Sequence, residues 1–141
     1  MLAELFNLEV LQVEDASNPN QRAKFDLDEN GALFAVLKVL HYDKTTSDVT
    51  TGQVAVFIGT NYAVTIRQRG LRDLVSVQAR IEGNDGLREH GPDCALYSVL
   101  DTVVDEYLAV IDAVSAEVDQ IEKVAGEIVR TTRRYLAARS Q

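Results

Sequence analysis

Two adjacent carboxylates, Glu14 and Asp15, stand just ahead of the turn-forming run Asn18-Pro19-Asn20, and two basic residues, Arg22 and Lys24, come after it. Hard divalent cations take oxygen ligands. Mg²⁺ also keeps several of its waters, so one or two carboxylates suffice to hold it. Neighbouring residues on a helix point about 100° apart. The pair can therefore serve two cations, or one cation and one salt bridge, or be no more than a solvated pair at a helix end. A second acidic set comes much later, at Asp101, Asp105, Asp112 and Asp119. On a helical projection these four fall within about 40° of one another. Asp101 and Asp105 are like charges at i,i+4, which repel in an isolated helix. From Gly91 to Glu122 there are eight acidic residues and no Lys or Arg. Either this stripe is a solvated face, or something outside the helix neutralises it: a cation, or the basic surface of a neighbouring subunit.

Other chemistry finds less support. The run Asp26-Leu27-Asp28-Glu29-Asn30-Gly31 matches the opening of a calcium-binding loop, but Leu37 stands where the bidentate Glu should be. The segment from Leu33 to Leu40 is strand-like where a calcium loop would lead into a helix, so the run reads as a turn entering a strand. His41 and His90 have no second His or Cys at ligand spacing, which disfavours a closed zinc site. Cys94 has no nearby His and reads as a core residue. There is no Gly-rich phosphate loop and no Ser/His/Asp arrangement. No catalytic residue and no organic cofactor is therefore assigned, and the chain is not expected to be an enzyme.

Composition narrows the partners. The 141 residues carry a net charge of −8 with a pI near 4.7. That disfavours nucleic acid, whose phosphates need a basic face, and suits cations. A lone cysteine precludes an internal disulfide and fits a reducing compartment. No apolar run approaches the roughly 18 to 20 residues of a membrane helix, and the first residues lack a basic signal-peptide start. The chain is expected to be cytosolic, or the cytosolic part of something larger.

Periodicity places the elements that must position these residues. Residues 2–15 read as one short helix ended by Asn18-Pro19-Asn20. Strands are expected at 33–42, 53–58 and 62–67, the last two as a hairpin around Gly59, with a polar loop over 43–51. A helix over 71–81 stops at Gly83-Asn84-Asp85-Gly86. Pro92 then opens a long helix reaching at least Ala125, with Leu96, Leu100, Val103, Tyr107, Val110, Val114, Val118 and Ile121 on one face. Charge inverts at Lys123: five basic residues then meet one Glu. Periodicity leaves open whether the helix breaks at Gly126. The fold class is α/β (α+β), a small mixed sheet sandwiched by helices with one long C-terminal helix. Its organisation is a sheet-and-helix portion over 1–91, a long acidic helix over 92–126 packed on it, and a basic helical tail over 127–141.

Four blocks carry a family resemblance. The stretch Val13-Glu14-Asp15-Ala16-Ser17-Asn18-Pro19-Asn20-Gln21-Arg22-Ala23-Lys24 is similar to a block of the form L-E-D-(A/I)-L-N-x-x-Q-R-P-K. An extended strand from Leu33-Phe34 ends in Tyr42-Asp43. Gln53-Val54-Ala55-Val56-Phe57-Ile58-Gly59-Thr60-Asn61-Tyr62 is the third block. The fourth runs from Leu96-Tyr97 through Asp101, Asp105 and Tyr107 to Glu117-Val118-Asp119-Gln120-Ile121-Glu122. In this order and spacing they resemble the cytoplasmic domain of the CorA family of divalent-cation transporters, over roughly residues 5 to 125. There are departures. Glu9 and Val10 stand where the family has His-Pro, and Ala23 replaces the proline of Q-R-P-K. Nothing in the chain matches the family's N-terminal strands, stalk helix, membrane helices or Gly-Met-Asn pore motif.

The resemblance implies a funnel-shaped αβα domain in a pentamer, with divalent cations bound between neighbouring copies holding a channel closed. By position, Asp15 matches the main intersubunit ligand, and Glu14 and Asp101 match positions near a second cation. The metal site is therefore expected at Glu14, Asp15 and Asp101, gathered in one acidic patch that binds Mg²⁺ or Co²⁺ weakly in a regulatory role. The expected partners are neighbouring subunits of a homo-oligomer, and the membrane only through helices absent from this chain. The location implied is the cytoplasmic face of the cell membrane. Two rival readings stand beside this one: a free-standing interaction or regulatory protein of the same fold, and the cytoplasmic domain of the zinc-transporting branch.

Overall fold

A computed structural model describes residues 2–68 and 74–140. In chain order the elements are α1 (Leu2–Leu5), α2 (Val10–Ser17), β1 (Lys24–Leu27), β2 (Leu33–Asp43), β3 (Asp48–Ile58), β4 (Ala63–Arg67), α3 (Leu74–Glu82), α4 (Asp85–Arg88) and α5 (Asp93–Arg139). The strands lie side by side in the order β1-β2-β3-β4, every pair antiparallel. The α/β class, the sandwiched sheet and the long C-terminal helix agree with the sequence. The sheet is antiparallel throughout rather than mixed. Each connection is a short turn, and a parallel neighbour would need a crossover of a dozen or more residues.

Successive side chains of a strand point to opposite faces, and both faces of β2 and β3 are covered, which explains their unbroken apolar runs. On one face Val54, Val56 and Ile58 pack with Leu33, Leu37 and Val39 against Val77 of α3 and Val99 and Val103 of α5. On the other, Phe34, Val36, Ala55 and Phe57 meet Ala16 and Val13 of α2, with Leu8 and Tyr62 closing the edge. The Phe34 and Phe57 rings stack at 4.6 Å between centroids.

Several boundaries differ from the sequence reading. The single helix over 2–15 is two helices. Asn7 adopts φ 51°, a left-handed conformation that Asn tolerates. The Leu8 amide donates to the Ala3 carbonyl at 2.8 Å and the Asn7 amide to that of Glu4 at 3.4 Å, the double closure that ends a helix at a left-handed residue. Strand β1 is absent from the sequence reading: it is a four-residue edge strand whose Phe25 and Leu27 stay exposed, so it lacks a burial pattern. The loop expected over 43–51 is mostly strand. Asp43 pairs with Asp48 in register, and β-branched threonines suit the pleated ladder. Within the turn, Asp43 Oδ1 accepts from the Thr45 amide at 2.8 Å and its hydroxyl at 2.6 Å. Asp28 Oδ1 similarly accepts from the amides of Asn30 and Ala32, so the calcium-loop look-alike is a side-chain-stabilised turn. The expected start of the third helix at Leu71 lies outside the described residues.

Helix α5 runs 47 residues without a break, about 70 Å at 1.5 Å per residue. Gly126 lies inside it, because one glycine costs a helix only about 1 kcal/mol. Gly59 is different. Its turn brings the Tyr62 carbonyl to the Gly59 amide at 2.9 Å, and an added Cβ would collide with the Tyr62 ring, itself packed on Phe6 at 4.9 Å. Urea unfolding should therefore show Gly59→Ala destabilised by about 1–3 kcal/mol through overpacking. Gly126→Ala, whose new methyl meets nothing closer than the Arg130 side chain at 3.9 Å, should gain about 0.5–1 kcal/mol.

Candidate functional site

Glu14 and Asp15 sit in the last turn of α2 (Val10–Ser17). That turn is fastened to the sheet by Gln53, whose side chain is buried on β3. Its Nε2 donates to the Asn18 carbonyl at 3.0 Å, and its Oε1 accepts from Lys38 Nζ at 2.9 Å. Lys38, the register partner of Gln53 on β2, also reaches the Pro19 carbonyl at 3.4 Å. A buried amide thus satisfies both its ends and fixes where α2 stops.

Asp15 is already paired. Its Oδ2 lies 2.7 Å from Lys24 Nζ, which also contacts Asp26 Oδ2 at 2.9 Å and stands 5.0 Å from the centre of the Phe34 ring. Asp15, then Asp26, hold the Lys24 ammonium above its ordinary pKa. Of the two directions open to an adjacent carboxylate pair, Asp15 takes a salt bridge. Glu14 is exposed and makes no ion pair among the described residues.

Asp101 lies on α5, over the opposite face of the sheet. Its Oδ2 accepts from Arg80 Nη1 of α3 at 2.6 Å. Asp101 first, and Asp105 more weakly, raise the Arg80 pKa. Part of the acidic stripe is therefore neutralised from within the chain, by a residue 21 positions away on another helix. Both pairs are open to solvent, where screening leaves such pairs little net stability. Asp112 and Asp119 remain exposed.

The structure brings Glu14 and Asp15 together but not with Asp101. The expectation of one patch on one surface of one chain does not hold, because α2 and α5 cover opposite faces of the same sheet. Among the described residues, no three His, Cys, Asp or Glu side chains gather closely enough to hold a metal ion. The carboxylates are donors of the type a hard cation takes, but they do not converge within one copy.

Residues 1–138 match the family described as CorA-like Mg2+ transporter protein. The chain belongs to that family. It is 33% identical over 124 residues to the Cobalt/magnesium transport protein CorA of Thermotoga maritima, a match covering 86% of this chain and 35% of the relative. It is 25% identical over 123 residues to the metal ion transporter YfjQ of Bacillus subtilis, covering 87% of this chain and 37% of the relative. The chain thus spans about a third of the length of the curated relatives it matches. Those relatives are named as transporters and not as enzymes. In this CorA-family chain no helix among the described residues is long and apolar enough to cross a membrane.

Sequence reasoning assigned no role to three residues that fasten these elements together in the structure. Gln53 lay in a matching block without an assigned role, although a glutamine opening an apolar strand is itself a signal of a buried bond. Arg80 has no local signal, since its partner is on another element. Glu117 ties α5 to the tip of the β2–β3 hairpin: its Oε1 accepts from the Ser47 hydroxyl at 2.7 Å. The Tyr42 hydroxyl beside it is buried without a hydrogen bond of full geometry, so that contact is an attraction short of a formed bond. The Tyr42 and Ser47 hydroxyls hold the Glu117 carboxyl below its ordinary 4.5.

Gln53→Leu removes the side-chain donor to the Asn18 carbonyl, leaving it the Gln21 amide at 3.2 Å, and removes the Oε1 acceptor of Lys38. It should cost about 1–3 kcal/mol in denaturant unfolding, with increased amide exchange at Asn20 and Gln21. Glu117 has a lowered pKa in the fold, so its contribution is present above pH 4.5 and is lost as pH falls through the lower folded value. Asp43, lowered by the Thr45 hydroxyl and amide from 3.8, adds a loss of the same sign further down. Stability should drop below pH 4.5, and Glu117→Gln should flatten the upper part of that drop.

Proposed function

We propose that this chain is a cytoplasmic, cation-sensing portion of a Mg²⁺/Co²⁺ transporter of the CorA family, and that divalent cations bind between copies of it. Family membership and two relatives named as metal transporters support the first part. One geometric observation carries the second: Glu14 and Asp15 lie over one face of the sheet and Asp101 over the other. A surface that is incomplete on each side makes a head-to-tail contact, in which one face of a copy meets the opposite face of the next. Such contacts close into a ring when the rotation between copies allows it. The pentamer implied by the resemblance is one such ring.

In this reading Asp15 is the principal ligand, and Glu14 and Asp101 serve a second cation nearby. Lys24 and Arg80 act as resident counter-ions that keep the carboxylates compensated while copies are apart. A divalent cation has to compete with them, so affinity is weak, on the order of millimolar. A weak site suits a sensor of an abundant cation, because occupancy changes where the cation concentration does. The cation then favours the joined arrangement by mass action. The pore belongs to regions of the relatives that this chain does not cover.

Sedimentation of the chain in tens of millimolar MgCl2, against NaCl of equal ionic strength, tests this. The expected result is Mg²⁺-specific association that Asp15→Ala and Asp101→Ala each abolish and that a mixture of the two variants partly restores. Arg80→Ala, which frees Asp101, should shift the response to lower Mg²⁺. Equal behaviour in the two salts, or a full Mg²⁺ response in the Asp15→Ala, Asp101→Ala double variant, would reject the reading.

A further inference from the structure

We infer that Lys38 is a positioning residue that links the two faces of the sheet, so that the α2 end carrying Glu14 and Asp15 and the helix α5 carrying Asp101 respond to each other within one copy. Its backbone and its side chain serve opposite faces. On the α5 side, the Tyr107 hydroxyl donates to the Lys38 carbonyl at 2.5 Å, and Tyr107 packs against the same cluster as Leu37 and Val39. On the α2 side, Lys38 Nζ donates to Gln53 Oε1 at 2.9 Å and to the Pro19 carbonyl at 3.4 Å, and Gln53 Nε2 donates to the Asn18 carbonyl at 3.0 Å. The bonds run from α5, through one residue of β2, to the turn that ends α2.

The register explains why Lys38 holds this place. Strand β1 reaches only to Lys24, opposite Val36. The Gln53 carbonyl is turned toward β4, where it accepts from the Gln68 amide at 3.2 Å. Lys38, its register partner, therefore turns its own carbonyl away from β3, past the end of β1. Tyr107 supplies the donor that β1 does not, so a shift of α5 turns the Lys38 peptide. The relay continues because Gln53 is 1% exposed. Water cannot replace a bond lost there, and an unmet buried amide is costly. Gln53 follows Lys38, and the Asn18 carbonyl follows Gln53. None of the described ion pairs includes Lys38; both of its described side-chain acceptors are neutral. It acts on the carboxylates through the elements that carry them, unlike Lys24 and Arg80, which touch them. The link is a property of one copy. Its regulatory weight rests on the cation reading above, in which each copy meets a neighbour through each face: a cation bound at one contact then changes the other contact through Lys38.

NMR of the 141-residue chain in EDTA reads the link with no cation present. Tyr107→Phe deletes only the hydroxyl. It should move the Gln53 side-chain amide and the backbone amides of Asn18, Asn20 and Gln21, on the other face, and leave those of α1 in place. Combined with Lys38→Met it should no longer reach the turn; combined with Lys38→Arg, which keeps a donor, it should. Coupling is reciprocal, so Gln53→Leu should move the Tyr107 ring resonances, and not in combination with Lys38→Met. Sedimentation in MgCl2 reads the consequence. Tyr107→Phe should shift the Mg²⁺ concentration of half-association by about fivefold, the low end of ordinary coupling, and should not shift it in Lys38→Met. Silence at the turn in Tyr107→Phe overturns the link, as does a response that persists unchanged in Lys38→Met. A chain that associates with Mg²⁺ but whose half-point ignores Tyr107→Phe overturns the regulatory role. A wild-type chain without Mg²⁺-specific association rejects the cation reading, and with it the regulatory role, while the EDTA spectra still decide the link.

Discussion

The β2–β3 ladder governs this molecule. Its two strands pair over eleven residues and are buried on both faces. β1 and β4 extend its two edges, and the packed helices are placed by which face they cover. α2 lies on the side of Phe34, Val36, Ala55 and Phe57; α3 and α5 lie on the side of Val54, Val56 and Ile58. A layered packing of this kind keeps helix and sheet about 10 Å apart on each side. Carboxylates carried by α2 and α5 are therefore separated by the thickness of the domain, and no side-chain rearrangement within one copy can join them.

Gln53 turns that constraint into a defined position for the acidic pair. Its amide bridges Lys38 and the Asn18 carbonyl, so the end of α2 is set by a buried bond rather than by loop length. The electrostatics divide in the same way. Lys24 answers Asp15 on one face and Arg80 answers Asp101 on the other, leaving each acidic group compensated but exposed enough to exchange its partner. Weak, exchangeable pairs at a surface are compatible with cation sensing, whereas buried pairs would resist the exchange.

Helix α5 combines two regimes in one rod. Over its first half Val99, Val103 and Val110 are buried, the Tyr107 hydroxyl donates to the Lys38 carbonyl at 2.5 Å, and Glu117 reaches the hairpin tip. Past that contact the helix stands clear of the body, its apolar stripe uncovered and its charge inverted. Helicity persists there because the sequence is rich in good helix formers such as Ala, Glu, Arg and Leu, not because the body supports it.

The sequence by itself determined the α/β class, the two central strands, a long helix from Pro92 to at least Ala125, and the acidic residues worth attention, because periodicity and residue type are local properties; that the helix runs on through Gly126 to Arg139 was decided by the structure. The sequence also placed the charge inversion at Lys123. Tertiary structure alone decided the rest. The break at Asn7 depends on a left-handed backbone that asparagine tolerates but does not dictate. The edge strand β1 forms because β2 offers it hydrogen bonds, not because its own pattern demands burial. The pairing of Arg80 with Asp101 links two helices that only packing brings together. Most consequential is the separation of Glu14 and Asp15 from Asp101. All three are carboxylates of the type that could face a cation, but the face of the sheet each occupies depends on which side chains α2 and α5 bury, and that is set by contacts between residues distant in the chain.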